Sequence, residues 1–200
     1  MISGSLLYDP APTGKIDNLD SYLFTILGSI GVVTSLLLFS THLFNSKLRK
    51  SPGDLIVMVA FAELLLTIHW VLTGLFSPFI LSKDYAKENS TFCKVNGVIA
   101  VVGANLEIAY NFSFIMYIYL KVRYMNSKMI TTLWFHIGSI SVTVCVLLYN
   151  YFRGHIGMNA YGTCSIRKVS ILSIVLGGLS LVALSFFSVY VLVYTNRVLP

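Results

Sequence analysis

The sequence predicts an all-α integral membrane protein, a polytopic bundle of five membrane-spanning helices. Hydrophobic residues make up 56% of the 200-residue chain and charged residues only 11%, whereas a soluble domain has about 25% charged residues. Three segments, 21–46, 129–152 and 169–196, contain no Asp, Glu, Lys or Arg, and about 20 apolar helical residues cross a bilayer. These runs are continuous, whereas strands of a membrane barrel alternate in polarity over about 10 residues. The pattern therefore favours spanning helices over a soluble domain and over a membrane barrel.

The predicted elements follow from these runs and from the polar segments between them. A polar tail, 1–20, precedes the first helix, and Pro52 with Asp54 favours a helix start after a basic turn. The connections are about 10 to 18 residues long, so helices adjacent in sequence should be antiparallel neighbours. A short end, 196–200, follows the last helix. The predicted spans are about 21–44, 55–81, 93–120, 132–152 and 169–195.

Lys and Arg do not decide the orientation of the chain, because alternate sides of the predicted bundle carry seven each. Asn89-Ser90-Thr91 is an acceptor triplet for N-glycosylation between helices two and three, and such a site is used only on the external or lumenal face. The triplet also arises by chance. A second match, at Asn111, lies in the middle of helix three and should be inaccessible. The expected glycosylation site is therefore Asn89.

Two cysteines fall on the same predicted side as Asn89. Cys93 stands at the start of helix three, and Cys164 lies between helices four and five. A disulfide there would tie a long loop to a helix end in an oxidising compartment, while the alternative is two unpaired thiols that share a side. Cys145 is predicted to be a small buried residue of helix four. This arrangement predicts an external N-terminus and an internal Pro200.

Polar residues at bilayer depth are costly and are therefore candidates for function. With a rise of about 1.5 Å per residue, His69 lies about 24 Å from Gly53, and Glu107 lies about 21 Å from Lys121. The two side chains are thus predicted to meet and to line a ligand or switch cavity, with Glu63 lower in a polar core. The alternative is that these residues only hold the helices together by hydrogen bonds. The remaining cavity candidates on helix three are Asn105, Tyr110 and Asn111.

The sequence offers no enzyme constellation, metal site or cofactor site. The four histidines, His42, His69, His136 and His155, lack metal-ligand spacing, and the cysteines form no CxxC pair. His136 is predicted to be interhelical or interfacial. The net charge of +6 does not indicate nucleic acid, because the basic residues flank the apolar runs and should face lipid headgroups and water. Four aromatic residues are predicted at the membrane interfaces, namely Trp70, Tyr85, Tyr149 and Tyr151.

The cysteine arrangement and the segment Lys47-Leu-Arg-Lys-Ser-Pro-Gly-Asp-Leu-Ile-Val-Met-Val-Ala-Phe-Ala-Glu-Leu-Leu-Leu66 resemble seven-helix G-protein-coupled receptors of the secretin-like and cAMP-receptor-like groups. Trp134, near the start of helix four, is similar to a residue of that superfamily. The resemblance spans 21–195, the first five of seven helices. No Asp-Arg-Tyr-like triplet closes helix three. The short tail lacks the cysteine-rich hormone-binding domain of the secretin group, which favours the cAMP-receptor-like group.

The resemblance implies a partial seven-helix receptor fold, a Cys93–Cys164 disulfide and transmembrane signalling at the plasma membrane. The chain would be a truncated receptor that binds an unknown extracellular ligand and acts in a homo- or hetero-oligomer. It also implies that the inner loops contact a heterotrimeric G protein. The rival hypothesis is a five-helix accessory or transporter subunit in which Glu63, His69 and Glu107 relay a proton or bind substrate; a lipid-embedded scaffold is a third. The expected G-protein-facing residues are Lys47, Arg49, Lys50, Arg123 and Lys128.

Overall fold

The structure is a computed structural model that describes 18–45, 48, 52–81, 91–124, 131–158, 163–166 and the single positions 186, 189, 190 and 193. Within these residues the chain forms four long helices followed by one two-stranded hairpin. The helices are α1 (Asn18–Phe44), α2 (Gly53–Leu81), α3 (Thr91–Arg123) and α4 (Thr132–Phe152), and the strands are β1 (Ile156–Met158) and β2 (Cys164–Ile166).

Each of the four helices is long and apolar enough to cross a membrane, which is consistent with a multi-pass membrane protein. Three of them start two or three residues before the predicted spans, and α3 also runs three residues further, to Arg123. The predicted fifth helix lies outside the described residues, as do the segments 1–17 and 196–200. Four positions of that predicted helix are the exception, and each is helical: Phe186, Val189, Tyr190 and Val193.

Helices α1 and α2 pack closely because glycines lie at their contact. A Cβ atom on Gly28 would lie 2.9 Å from Val71 Cγ2 and 3.1 Å from the carbonyl oxygen of Thr67. Further along, the Ser21 hydroxyl donates a 2.5 Å hydrogen bond to the carbonyl oxygen of Gly74. Small residues let helix backbones approach in lipid, where van der Waals packing drives association.

The buried core lies between α2, α3 and α4. Gly103 of α3 faces Ala62 and Leu66 of α2, and a Cβ at Gly103 would lie 2.9 Å from the Leu66 nitrogen. The Tyr117 and Phe135 rings meet edge to face at 6.0 Å between α3 and α4. The contacts join neighbouring helices that run antiparallel to each other. The core residues are Leu55, Ala62, Leu106, Tyr110 and Tyr117.

A glycine ends α4 and turns the chain into the hairpin. Gly154 has φ of 64°, a conformation that suits glycine after a helix end. Its N–H donates to the Tyr151 carbonyl, and the His155 N–H donates to the Asn150 carbonyl at 2.9 Å. This pair of bonds satisfies carbonyls of the last turn. The chain then enters β1, which pairs with β2 in antiparallel register, with Ile156 opposite Ile166 and Met158 opposite Cys164.

The bundle has a disulfide end and an opposite end. The disulfide end carries the start of α1, the start of α3, the end of α4 and the hairpin; the opposite end carries Phe44, Gly53, Arg123 and Thr132. Long apolar side chains of α1 and α4, such as Ile30 and Val142, are more than half exposed. The prediction that Cys145 is buried was wrong, because its side chain lies on this exposed apolar surface of α4.

Candidate functional site

The predicted cysteine pair forms a disulfide in the structure. Cys93 lies in the first turn of α3 and Cys164 begins β2, with their Cα atoms 5.1 Å apart. The hairpin packs directly on α3, because a Cβ at Gly97 would lie 2.8 Å from Ile156 Cγ2. The disulfide therefore fixes the segment after α4 against the start of α3.

A buried polar network lies just inside the disulfide end. The Asn96 side chain, only 1% exposed, lies between two residues of α2. Its Oδ1 atom is 3.1 Å from His69 Nδ1, and its Nδ2 atom donates a 3.1 Å hydrogen bond to Thr73 Oγ1. Because Oδ1 only accepts, His69 carries the proton on Nδ1. All three groups gain a partner that they would lack in an apolar interior.

A second polar group, the polar bridge, joins three helices nearer the opposite end. It consists of Asp54 in the first turn of α2, Tyr110 in α3 and His136 in the second turn of α4. His136 Nε2 lies 3.2 Å from Asp54 Oδ2, and His136 Nδ1 lies 3.2 Å from the Tyr110 hydroxyl. Tyr110 is completely buried. His136 is thus interhelical, as the sequence predicts, and it connects residues from α2 and α3.

Glu63 of α2 and Glu107 of α3 lie at similar depth between the network and the bridge, because Gly103 packs beside Ala62 and Leu66. Both residues are half-buried. The Thr67 hydroxyl donates to the Glu63 carbonyl at 2.9 Å, one turn along α2. The middle of the described bundle therefore contains two carboxylic acids.

Glu107 and His69 were predicted to meet, but they do not form a pair in the structure. His69 bonds to Asn96 instead, and no hydrogen bond joins it to Glu107 among the described residues. That prediction assumes that the Gly53 end of α2 and the Lys121 end of α3 lie at the same depth in the membrane. Gly103 packs beside Ala62 and Leu66, so the end of α3 extends well past the start of α2. Glu107 therefore lies nearer the opposite end than predicted, at about the depth of Glu63.

Three other predicted site residues, Asn105, Asn111 and Arg123, lie on α3 within the described part of the chain. Asn105 donates a 2.7 Å hydrogen bond to the Val101 carbonyl of its own helix, and Asn111 is half-buried on α3. Arg123 ends α3, with its guanidinium 5.9 Å from the Tyr124 ring centre. Five further positions lie outside the described residues: Lys47, Arg49, Lys50, Asn89 and Lys128.

Two features of the site were missed at the sequence level. Asp54 is interpreted there only as a favourable residue for a helix start, and His136 has no assigned partner. The available signal was weak: Asp54 immediately precedes the second predicted helix and His136 lies in the second turn of the fourth, and both helices begin on the same predicted side. In the described part of the chain, no group of three or more His, Cys, Asp or Glu side chains is arranged to hold a metal ion.

Comparisons with known proteins do not place the chain in a family. No protein-family model matches it, and no curated protein is similar to it at a significant level. The fold and the polar contacts define a helical bundle suited to a membrane, with one end fastened by a disulfide.

Proposed function

We propose that this protein is a G-protein-coupled-receptor-like membrane protein that transmits a signal from an extracellular ligand. The observation that carries the proposal is the Cys93–Cys164 disulfide, which ties the head of α3 to the segment after α4. The receptor family that the sequence resembles has this arrangement. A disulfide of this kind forms in an oxidising compartment, which supports placing the disulfide end and the N-terminus outside the plasma membrane.

The four apolar helices and their polar contacts support a role in signalling. A signal crosses a bundle when a ligand binds one helix packing better than another. Hydrogen bonds between helices, such as those of Asn96 and His136, give such packings distinct energies because each broken bond leaves a polar group in an apolar interior. The inner loops, with Lys47, Arg49 and Lys50, would then contact the heterotrimeric G protein, and the receptor would act in a homo- or hetero-oligomer.

A test of this proposal starts from the full-length transcript, because the resemblance implies two further apolar helices beyond Pro200. The encoded protein is reconstituted in lipid nanodiscs and mixed with purified heterotrimeric G protein. We expect capture in the nucleotide-free state and release by GTPγS. The triple variant K47A/R49A/K50A should weaken capture by about tenfold, since surface charge contacts contribute up to about 1 kcal/mol each.

The matched control removes three lysines from the other predicted side, in the variant K83A/K87A/K94A, and should leave capture unchanged. Equal loss in both triple variants would indicate nonspecific attraction between charges and would contradict the proposal. A transcript that stops after Pro200, together with no GTPγS-sensitive capture, would also contradict it.

The Glu63–Glu107 arrangement favours a second candidate, a transporter or accessory subunit. Carboxyl groups at similar depth inside an apolar bundle are typical of proton or cation pathways. In proteoliposomes loaded with a pH-sensitive dye, this candidate predicts proton flux that is lost in E63Q and in E107Q. The receptor proposal predicts no flux, so the two candidates give different results with the same reconstituted protein.

A further inference from the structure

Helix α4 is attached to the rest of the bundle by different means at its two ends. At the disulfide end, Gly154 leads into the hairpin, whose second strand is bonded covalently to α3 through Cys164 and Cys93. At the opposite end, the polar bridge joins His136 to Asp54 and Tyr110. A covalent bond cannot open thermally, whereas hydrogen bonds and ion pairs exchange with water.

Packing between these ends is light. Along α4 the buried side chains include only Ser139, Thr143 and Asn150, while residues such as Trp134 and Tyr151 are exposed. Ser139 shares a 2.9 Å hydrogen bond with Ser113 of α3. Direct contact of α4 with α2 is sparse, and the Asp54–His136 pair is its polar component. The bridge is therefore the main described contact that holds the start of α4 to α2.

The polar bridge is built so that it can close in either protonation state of His136. With a neutral ring, Nε2–H donates to Asp54 and Nδ1 accepts the Tyr110 hydroxyl proton; with a charged ring, both nitrogens donate and the Tyr110 oxygen accepts. The facing ionisable groups are Asp54 from α2 and Tyr110 from α3.

The residues of the bridge differ in exposure. The side chains of His136 and Asp54 are 23% and 32% exposed, whereas Tyr110 is fully buried. Asp54 is the second residue of α2, so its contact with His136 lies nearer a helix end than the contact with Tyr110. The buried hydroxyl on the other side favours closure.

We propose that α4 is a pivoting helix, hinged by the disulfide-bonded hairpin and latched at its start by the Asp54–His136–Tyr110 bridge. Opening the latch moves the Thr132 end of α4 away from α2 and α3, with loss of the Tyr117–Phe135 ring contact, while the Phe152 end stays in place. The 21 residues of α4 span about 30 Å, so a small rotation about the hairpin displaces the Thr132 end far more than the Phe152 end. The device does not depend on whether the protein signals or transports.

The experiment measures two distances by pulsed electron resonance between nitroxide labels in lipid nanodiscs, using the full chain with Cys145 replaced by Ala. One label pair is at Leu133 and Tyr124, at the opposite end, and the other is at Phe152 and Val95, at the disulfide end. All four side chains are at least half exposed, so labels should be tolerated.

We expect D54A and H136A to lengthen the Leu133–Tyr124 distance by about 2 Å or more, the scale of helix shifts in switching bundles. The Phe152–Val95 distance should keep its wild-type value in the same variants. The matched control S141A changes an exposed serine of the same helix and should alter neither distance. If D54A does not fold, D54L removes both carboxylate oxygens at similar side-chain size and should change the distance in the same direction.

Two outcomes would overturn the latch. Unchanged distances in both D54A and H136A would show that the bridge does not hold α4. Equal changes in both label pairs would show that α4 moves as a whole or loosens everywhere, so that the hairpin is not a hinge. A broadened Phe152–Val95 distance in the variant C93S/C164S, with an unchanged Leu133–Tyr124 distance, would support the hinge independently.

Discussion

Asn96 shows how a single polar residue organises the interior at the disulfide end. Its amide uses both of its functions, since Oδ1 accepts from His69 and Nδ2 donates to Thr73. An aspartate side chain has no N–H group to donate to Thr73, and a threonine side chain is too short to replace this amide. Loss of the side chain would leave two buried partners of α2 without their bonds.

We therefore expect N96A to destabilise the protein by about 1–2 kcal/mol, the upper range measured for polar contacts inside membrane bundles. The matched variant N105A should cost clearly less, because Asn105 is half-buried and bonds only within its own helix. Unfolding in mixed micelles, followed by circular dichroism, measures both values. Equal losses would contradict an interhelical role for Asn96.

At the residue scale, the sequence was sufficient for some polar residues and insufficient for their partners. The positions of Cys93 and Cys164 on one side follow from counting antiparallel helices, and their disulfide is confirmed. Tyr110 is identified as an interior polar residue, but its partner His136 is not. Helical periodicity gives the face of a residue, while its partner depends on how far one helix slides along the next. That offset is set by packing at Gly103.

At the scale of elements, long apolar runs predict helices well and short strands poorly. The start of α2 follows from Pro52 and Asp54, and α4 occupies 132–152, as its apolar run indicates. The hairpin is not predicted, because its strands have three residues each and show no alternating pattern. It forms because the disulfide and Gly97 hold it on α3, and these contacts are distant in sequence.

The α1–α2 contact gives a test at this scale, through two helical glycines. G28A should destabilise the bundle by about 1–3 kcal/mol, the usual cost of overpacking, because the new methyl group would meet Val71 and the Thr67 backbone. G138A should stabilise it by up to about 1 kcal/mol, since alanine favours a helix and nothing lies within 4 Å of that position. Thermal unfolding in detergent compares the two. A stabilising G28A would contradict the close approach of α1 and α2.

At the scale of the whole molecule, the described bundle alternates direction with each helix and gathers its disulfide and hairpin at one end. The polar contacts lie at three levels: the Asn96 network, the pair of acids and the polar bridge. This layering keeps a polar interior inside an apolar exterior, as a helical bundle in lipid requires. The positive charges do not indicate which end of the bundle faces the cell interior, because Lys and Arg are equally divided between the predicted sides.

We propose that these helices cross a membrane with the disulfide end outside, and labelling of single cysteines in intact cells tests this topology most directly. The substitutions D20C, N45C, Y124C and R153C are made with Cys145 replaced by Ala, at exposed positions flanking α1, α3 and α4. A membrane-impermeant maleimide should label D20C and R153C in intact cells, and N45C and Y124C only after permeabilisation. Labelling of D20C and N45C on the same side would contradict the crossing of α1, and a fully reversed pattern would contradict the external disulfide end.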